Sequence, residues 1–382
     1  MTRWAVLASY AALAACTQLL WLTFAAVDTR SAAAMHVSAG LVGDLAAVFP
    51  FVYVVLALPT GRWLDRRFGQ ALGAGAILTG TGAVVRLVAP ESFSWQLAGQ
   101  LVISAGQPLV LNSINKVAAR YFPPAERATA ISIGSAALFA GILAAVLMAG
   151  PVFDAGGLPL LLTVQAVPSV LAAGLMIFAL RAPVAFPDDP SAAVSLRWLA
   201  QDRFMWKLAV LVFIGMGVYN AVATWLEPIL ANFGEGDAAG GLIAVMTFAG
   251  IAGAAVLPTP AARRDRRREV LMVALVVPAV AFLLTAAIHN VVTSAVWMFL
   301  AGFVLLAALP VVLDWSDVHG GAERQGSAVG FLLMSGNLGG LVLVLVVQVV
   351  LGNPYLALGT LAAVTLLGLP VAMRLPRQTA RA

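Results

Sequence analysis

Twelve apolar runs, each close to twenty residues long and separated by short breaks of Gly, Pro and charge, constrain this chain more than any other feature. A run of that length matches the roughly 30 Å hydrocarbon core of a bilayer, where a helix satisfies its own backbone polar groups. The runs fall near 4–26, 39–60, 70–89, 96–119, 127–149, 158–180, 205–229, 238–258, 268–287, 292–313, 326–350 and 354–374. With 62% hydrophobic and 10% charged residues, the chain cannot be an ordinary soluble globule, and its 382 residues leave no room for a sizeable soluble domain. The first run follows Arg3 and continues without a small-residue cleavage site, so it reads as a first span rather than a signal peptide. The expectation is an all-α polytopic membrane protein. Two six-helix bundles, 1–180 and 205–382, flank a hydrophilic loop at 181–204.

Charge placement gives the orientation. If the N-terminus is cytoplasmic, then of the 22 basic residues only Arg30 falls outside and only Arg86 falls within a span. The positive-inside rule therefore places both termini in the cytoplasm of a cell-membrane protein. The net charge of +5 comes from these loop arginines, which read as topology and not as a nucleic-acid footprint. A single cysteine, Cys16, excludes an internal disulfide.

The second span of each half ends on a similar motif, "LPTGRWLDRR" at 58–67 and "LPTPAARRDRR" at 257–267, which suggests duplication. In transporters built from repeats, substrate sites lie near the midplane. Gly61, Asp65 and Arg66, within "GRWLDRRFG", resemble the loop signature of the major facilitator superfamily, with Gly69 one residue later than usual. The resemblance implies the major facilitator fold, with this Asp and Arg bracing helix ends. The basic helix end from Lys116 to Arg127 is the expected partner of Asp65. The competing reading makes Arg62, Arg66 and Arg67 simple topological anchors.

Ionisable groups at bilayer depth default to functional hypotheses. Asp44, Arg86 and Glu227 fall near the outer surface, as candidate proton or ion-pair sites, and snorkelling would also explain Arg86. Asp314 and Asp317 end the tenth span, where Arg324 or Lys116 could pair with them. Gln107 is the most informative uncharged group, since its amide would be costly facing lipid. Pro108 removes a backbone donor and should bend the helix there. Gln107 is either a polar wall of the substrate cavity or an interhelical bond that only stabilises packing. Asn337 in the eleventh span poses the same choice. Trp21 in the first span and Tyr219 in the seventh can face one cavity from opposite bundles and attract a desolvated cation through their rings. Their competing role is packing.

The stretches "RWAVLASYAALAACTQLLW", "GDLAAVFPFVYVVLALPTGRWLD", "GQPLVLNSINKVAARYF" and "QGSAVGFLLMSGNLGG" resemble the feline leukaemia virus subgroup C receptor-related transporters, over about half of the chain. That resemblance implies a facilitator for choline and ethanolamine, with haem also proposed. Trp21 and Tyr219 would cage the ammonium and Gln107 would match a glutamine before proline, while Asn337 replaces a second glutamine.

Two transport readings follow. The first is a monomeric uniporter of a small organic cation working by alternating access, since few carboxylates lie in the path. The second is a proton-coupled exporter of drugs or metabolites using Asp28, Asp44 or Glu227, with "AGPVFDAGG" at 149–157 partly matching an antiporter signature. A receptor lacks a ligand-binding extramembrane domain. An enzyme lacks a catalytic constellation, because His36, His289 and His319 fall at expected loop positions without metal spacing. No metal or cofactor is expected.

Overall fold

The computed structural model describes residues 2–186, 196–321 and 324–377, so residues 187–195 of the expected central loop and Arg381 lie outside the described residues. The helices are α1 (Arg3–Trp21), α2 (Asp28–Met35), α3 (Ala39–Val85), α4 (Phe93–Leu111), α5 (Ile114–Tyr121), α6 (Pro124–Ala179), α7 (Arg197–Gln201) and α8 (Arg203–Ala231). They continue with α9 (Ala239–Val256), α10 (Pro258–Arg263), α11 (Arg267–Ala287), α12 (Val291–Leu305), α13 (Ala308–Gly320), α14 (Gln325–Val350), α15 (Pro354–Leu367) and α16 (Leu369–Met373).

α3 and α6 are 47 and 56 residues long. At about 1.5 Å per residue they reach roughly 70 and 84 Å, more than twice the hydrocarbon thickness, so each has to cross twice. α3 breaks at Arg67 (φ −143°, ψ 60°), and α6 at Gly156–Gly157, where Gly157 takes φ +65°. Among the described residues nine helices are long and apolar enough to span, and the bent pair α4–α5 makes a tenth. Counting α3 and α6 as two crossings each gives twelve, the expected all-α polytopic fold. Large apolar side chains such as Phe51 (69% exposed) and Val349 (87% exposed) cover the outside, which is stable in lipid and not in water.

Three span ends differ from the sequence expectation. The first crossing stops at Trp21 rather than near 26, because Thr23 Oγ1 donates to the Leu20 carbonyl and the chain turns into α2. The fourth bends by 40° between Leu111 and Ile114, not at Pro108. There Ser113 Oγ takes the Val110 carbonyl, and Asn112 turns its amide to Ala57 and Thr60 of α3. The tenth continues through α13, which carries Asp314, Asp317 and His319 in a helix.

The fold divides into two compact units. One comprises Met1–Pro123, Ala137–Val194 and Gly321–Gly330; the other comprises Pro124–Ala136, Ser195–Gly320 and Phe331–Ala382. In the first, the later half of α3 packs on α4 through glycines seven residues apart on each helix. A Cβ on Gly82 would lie 2.8 Å from the Gly99 carbonyl, and one on Gly106 would lie 3.0 Å from that of Gly75. Small residues of this kind let membrane helices approach closely. In the second unit α8 and α14 cross at Gly217 and Gly339 in the same way.

Candidate functional site

In the first unit, the turn before the break in α3 forms a clasp. Asp65 accepts the backbone N–H groups of Gly326 (2.7 Å) and Ser327 (2.9 Å) and the Ser327 hydroxyl. These are orphan donors at the start of α14, where a carboxylate satisfies hydrogen bonds and the helix dipole together. Lys116 Nζ lies 3.6 Å from Asp65 Oδ1, with both side chains fully buried. Gly61 makes the approach sterically open, since a Cβ there would sit 2.5 Å from the Gly326 carbonyl. Gly61, Asp65 and Lys116 thus meet at one close contact with the start of α14. Arg66, also expected to brace, is exposed on this turn. In the second unit Arg127 Nη1 lies 4.0 Å from Asp317 Oδ2.

A second polar cluster surrounds Arg86. Expected near the outer surface with an ion pair or a snorkelling side chain, Arg86 is instead fully buried. It donates to Gln100 Oε1 (2.8 Å), Thr23 Oγ1 (3.0 Å), the Leu20 carbonyl (3.2 Å) and Gln165 Oε1 (3.3 Å), all neutral acceptors. Its guanidinium also lies 5.7 Å from the Phe24 ring centroid. The Leu20 carbonyl belongs to the last turn of α1, so Arg86 places a cation at the negative end of that helix. It holds the break at which Trp21 sits.

Trp21 is half-buried, and its Nε1 donates to the Ala46 carbonyl at 2.9 Å. That carbonyl is free because its helical partner four residues on would be the nitrogen of Pro50, which carries no hydrogen. With the N–H engaged, the π face is what the indole has left to offer. Gln107, on α4, is only 4% exposed, and among the described residues its amide makes no hydrogen bond. Asp44 is exposed near the start of α3.

In the second unit, Tyr219 on α8 is half-buried and shares a hydrogen bond of 2.9 Å with Thr247 of α9. Asn337 on α14 donates back to the Leu333 carbonyl at 2.8 Å. Each lies two residues from the Gly217–Gly339 crossing. Trp225 Nε1 also joins α8 to α14 through the Val344 carbonyl, at 2.8 Å. Glu227 is exposed. Asp314, expected to meet Arg324 or Lys116, accepts Arg267 Nε at 2.6 Å, and Arg267 Nη1 also reaches Asp265 at 3.3 Å. His319 Nε2 lies 2.7 Å from Asp202 Oδ2, while Asp202 Oδ1 caps α8 by accepting from Phe204 (2.9 Å) and Met205 (3.1 Å). Partial burial pushes the Asp202 carboxyl upward, but the His319 bond and the two N–H groups outweigh it and hold it below the usual range. Asp28 and Asp154 are engaged at the surface, the first by Thr29 N and the second by Arg30.

The cluster around Arg86 was missed in sequence, yet a signal existed. Gln96, Gln100, Ser104 and Gln107 recur at helical spacing along one face of α4, and all four are buried. A glutamine stripe inside a span implies something polar opposite it.

The architecture, twelve crossings with a carboxylate clasp at a loop signature and few buried charges, is that of a secondary transporter. A family model described as the Major Facilitator Superfamily matches residues 5–344, and the chain belongs to that family. It is 27% identical over 372 residues to solute carrier family 49 member A3 of Danio rerio, covering 91% of this chain and 78% of that protein. It is also 29% identical over 135 residues to the human choline/ethanolamine transporter FLVCR2, covering 34% of this chain and 26% of that one. The resemblance to feline leukaemia virus subgroup C receptor-related proteins is thus borne out. Among solved structures, a bacterial homologue of the iron transporter ferroportin in its outward-facing state aligns over 97% of this chain and 98% of its own, with TM-score 0.79 and 15% identity. The fucose transporter FucP in the outward conformation aligns over 97% and 100%, with TM-score 0.73 and 16% identity. The chain is therefore a multi-pass membrane transporter of small solutes, and its family is one of transporters, not enzymes.

Proposed function

We propose that this protein is a facilitator for a small choline- or ethanolamine-like cation, moved by alternating access across the cell membrane with both termini cytoplasmic. The observation that carries the reading is Trp21. Its N–H is spent on the carbonyl that Pro50 frees, so the attraction it can exert on a solute is that of the ring face, about 0.5–2 kcal/mol for a desolvated ammonium. Tyr219 adds a second ring, and Gln107 and Asn337 supply amide dipoles. The likeness to a choline/ethanolamine transporter over 135 residues supports the same class. Carboxylates that could relay protons are scarce: Asp65 is neutralised by Lys116 and Asp314 by Arg267. Asp28, Asp44 and Glu227 are the groups a proton-coupled exporter would use.

Uptake of labelled choline into proteoliposomes tests this directly. Trp21→Ala and Tyr219→Ala should each lose saturable uptake while remaining folded, and unchanged uptake in both sinks the proposal. A pH gradient should leave uptake unchanged. Uphill accumulation that collapses with an uncoupler would instead favour proton coupling through Asp28, Asp44 or Glu227.

A further inference from the structure

The turn of α3 that carries the Asp65 clasp has a second face. Pro59, Arg62, Trp63 and Arg66 follow at helical spacing on its exposed side, and Arg67 joins them at the break. These five residues line a cavity of about 350 Å³. Three of them are arginines, and among the described residues none of these makes an ion pair, the nearest carboxylate in sequence, Asp65, being committed to Lys116 and α14. Topology alone asks for arginines near a helix end. It does not ask that three of them share one concavity with an amphipathic tryptophan.

Above the cavity the same exposed stripe continues through Val55 (59% exposed) and Phe51 (69% exposed). Phe51 to Arg62 spans about 16 Å of helix, close to half of the roughly 30 Å hydrocarbon core. The stripe thus has the outline of a lipid, an apolar rod of one-leaflet length ending in a basic cradle. We propose that Arg62, Trp63, Arg66 and Arg67 form a binding site for the phosphate headgroup of an anionic phospholipid, whose acyl chain lies along Val55 and Phe51. The guanidiniums take the phosphate oxygens, and the indole sits at headgroup depth where amphipathic rings are favoured. A soluble phosphate compound would use the same arginines but gains nothing from the apolar stripe. Because the opposite face of this turn holds α14, an occupied cradle also steadies the clasp. The site does not depend on which solute is carried.

Native mass spectrometry of the detergent-solubilised full chain, titrated with phosphatidylglycerol or phosphatidylcholine, tests the site. The wild type should retain phosphatidylglycerol at least about tenfold more strongly than the triple variant Arg62→Gln, Arg66→Gln, Arg67→Gln, since that variant loses the guanidinium–phosphate contacts of the cradle. Phosphatidylcholine should show no such difference. A control removing equal charge elsewhere, Arg263→Gln, Arg264→Gln, Arg374→Gln, should behave as wild type. Phosphatidylglycerol should also raise the thermal midpoint of the wild type and of the control, but not of the first triple variant. Equal losses in the two triple variants would show general charge attraction and overturn the site. Displacement of the lipid by millimolar inorganic phosphate would overturn its assignment to a lipid.

Discussion

The two copies of the LPT motif read alike in sequence but fold into different arrangements. In the first, the helix runs on through Asp65 to the break at Arg67, and Gly61 admits the backbone of α14. The carboxylate then caps a helix far away in sequence and pairs with a buried lysine. The second copy is one residue longer and has no glycine after its LPT. Its helix ends at Val256, restarts at Pro258, and stops before Asp265, which is forced into the left-handed region at φ +54°. Asp265 is left partly exposed beside Arg267, whose main partner is Asp314. The copy with the glycine holds another helix with its aspartate, and the longer copy without it leaves its aspartate in a loop.

The comparison can be broken most directly at Asp65. Asp65→Ala strands Lys116 and the α14 donors in a buried site and should cost about 3–5 kcal/mol, whereas Asp265→Ala should cost under about 1 kcal/mol because that side chain is partly exposed. Thermal unfolding in detergent measures both, and equal effects would erase the distinction. Next in size is Gly61→Ala, whose methyl group must push into the Gly326 carbonyl for about 2–3 kcal/mol. A variant as stable as wild type would mean that the close approach is not maintained. Asp314→Ala should cost less, about 1–2 kcal/mol, because Arg267 keeps Asp265 as a partner. In the background of Asp265→Ala the same change should cost more, and strict additivity would show that the two carboxylates do not share Arg267.

The smallest effect concerns Asp202, a carboxylate that caps the helix immediately following it. Its folded carboxyl titrates below the ordinary value, so its contribution is complete above the usual carboxylate range and is lost as pH falls through the folded value. The gap in melting temperature between wild type and Asp202→Asn should therefore shrink as the pH falls below about 4, amounting to about 0.5 kcal/mol at most after screening. A gap that widened below that pH would contradict the bonding seen between Asp202, His319 and the start of α8.

Much of the candidate site was legible because bilayer physics makes polar residues conspicuous. Trp21, Gln107, Tyr219 and Asp65 stood out against apolar runs. The cluster at Arg86 escaped because a linear reading assigns depth but not facing. An arginine near a span end reads as snorkelling unless its neighbours on three other helices are known. Facing also separates Asp65 from Arg66, since adjacent residues on a helix point in different directions, and Asp65 is buried where Arg66 is exposed.

By itself, the sequence determined the number of crossings, the membrane environment and the family, because run length and hydrophobicity act locally and add along the chain. Which charge meets which was decided only by the tertiary structure. Lys116 with Asp65, Arg267 with Asp314 and Arg86 with four neutral acceptors depend on helix rotations and close glycine contacts. In a medium without water those pairings are set by packing, and packing is a property of several helices at once.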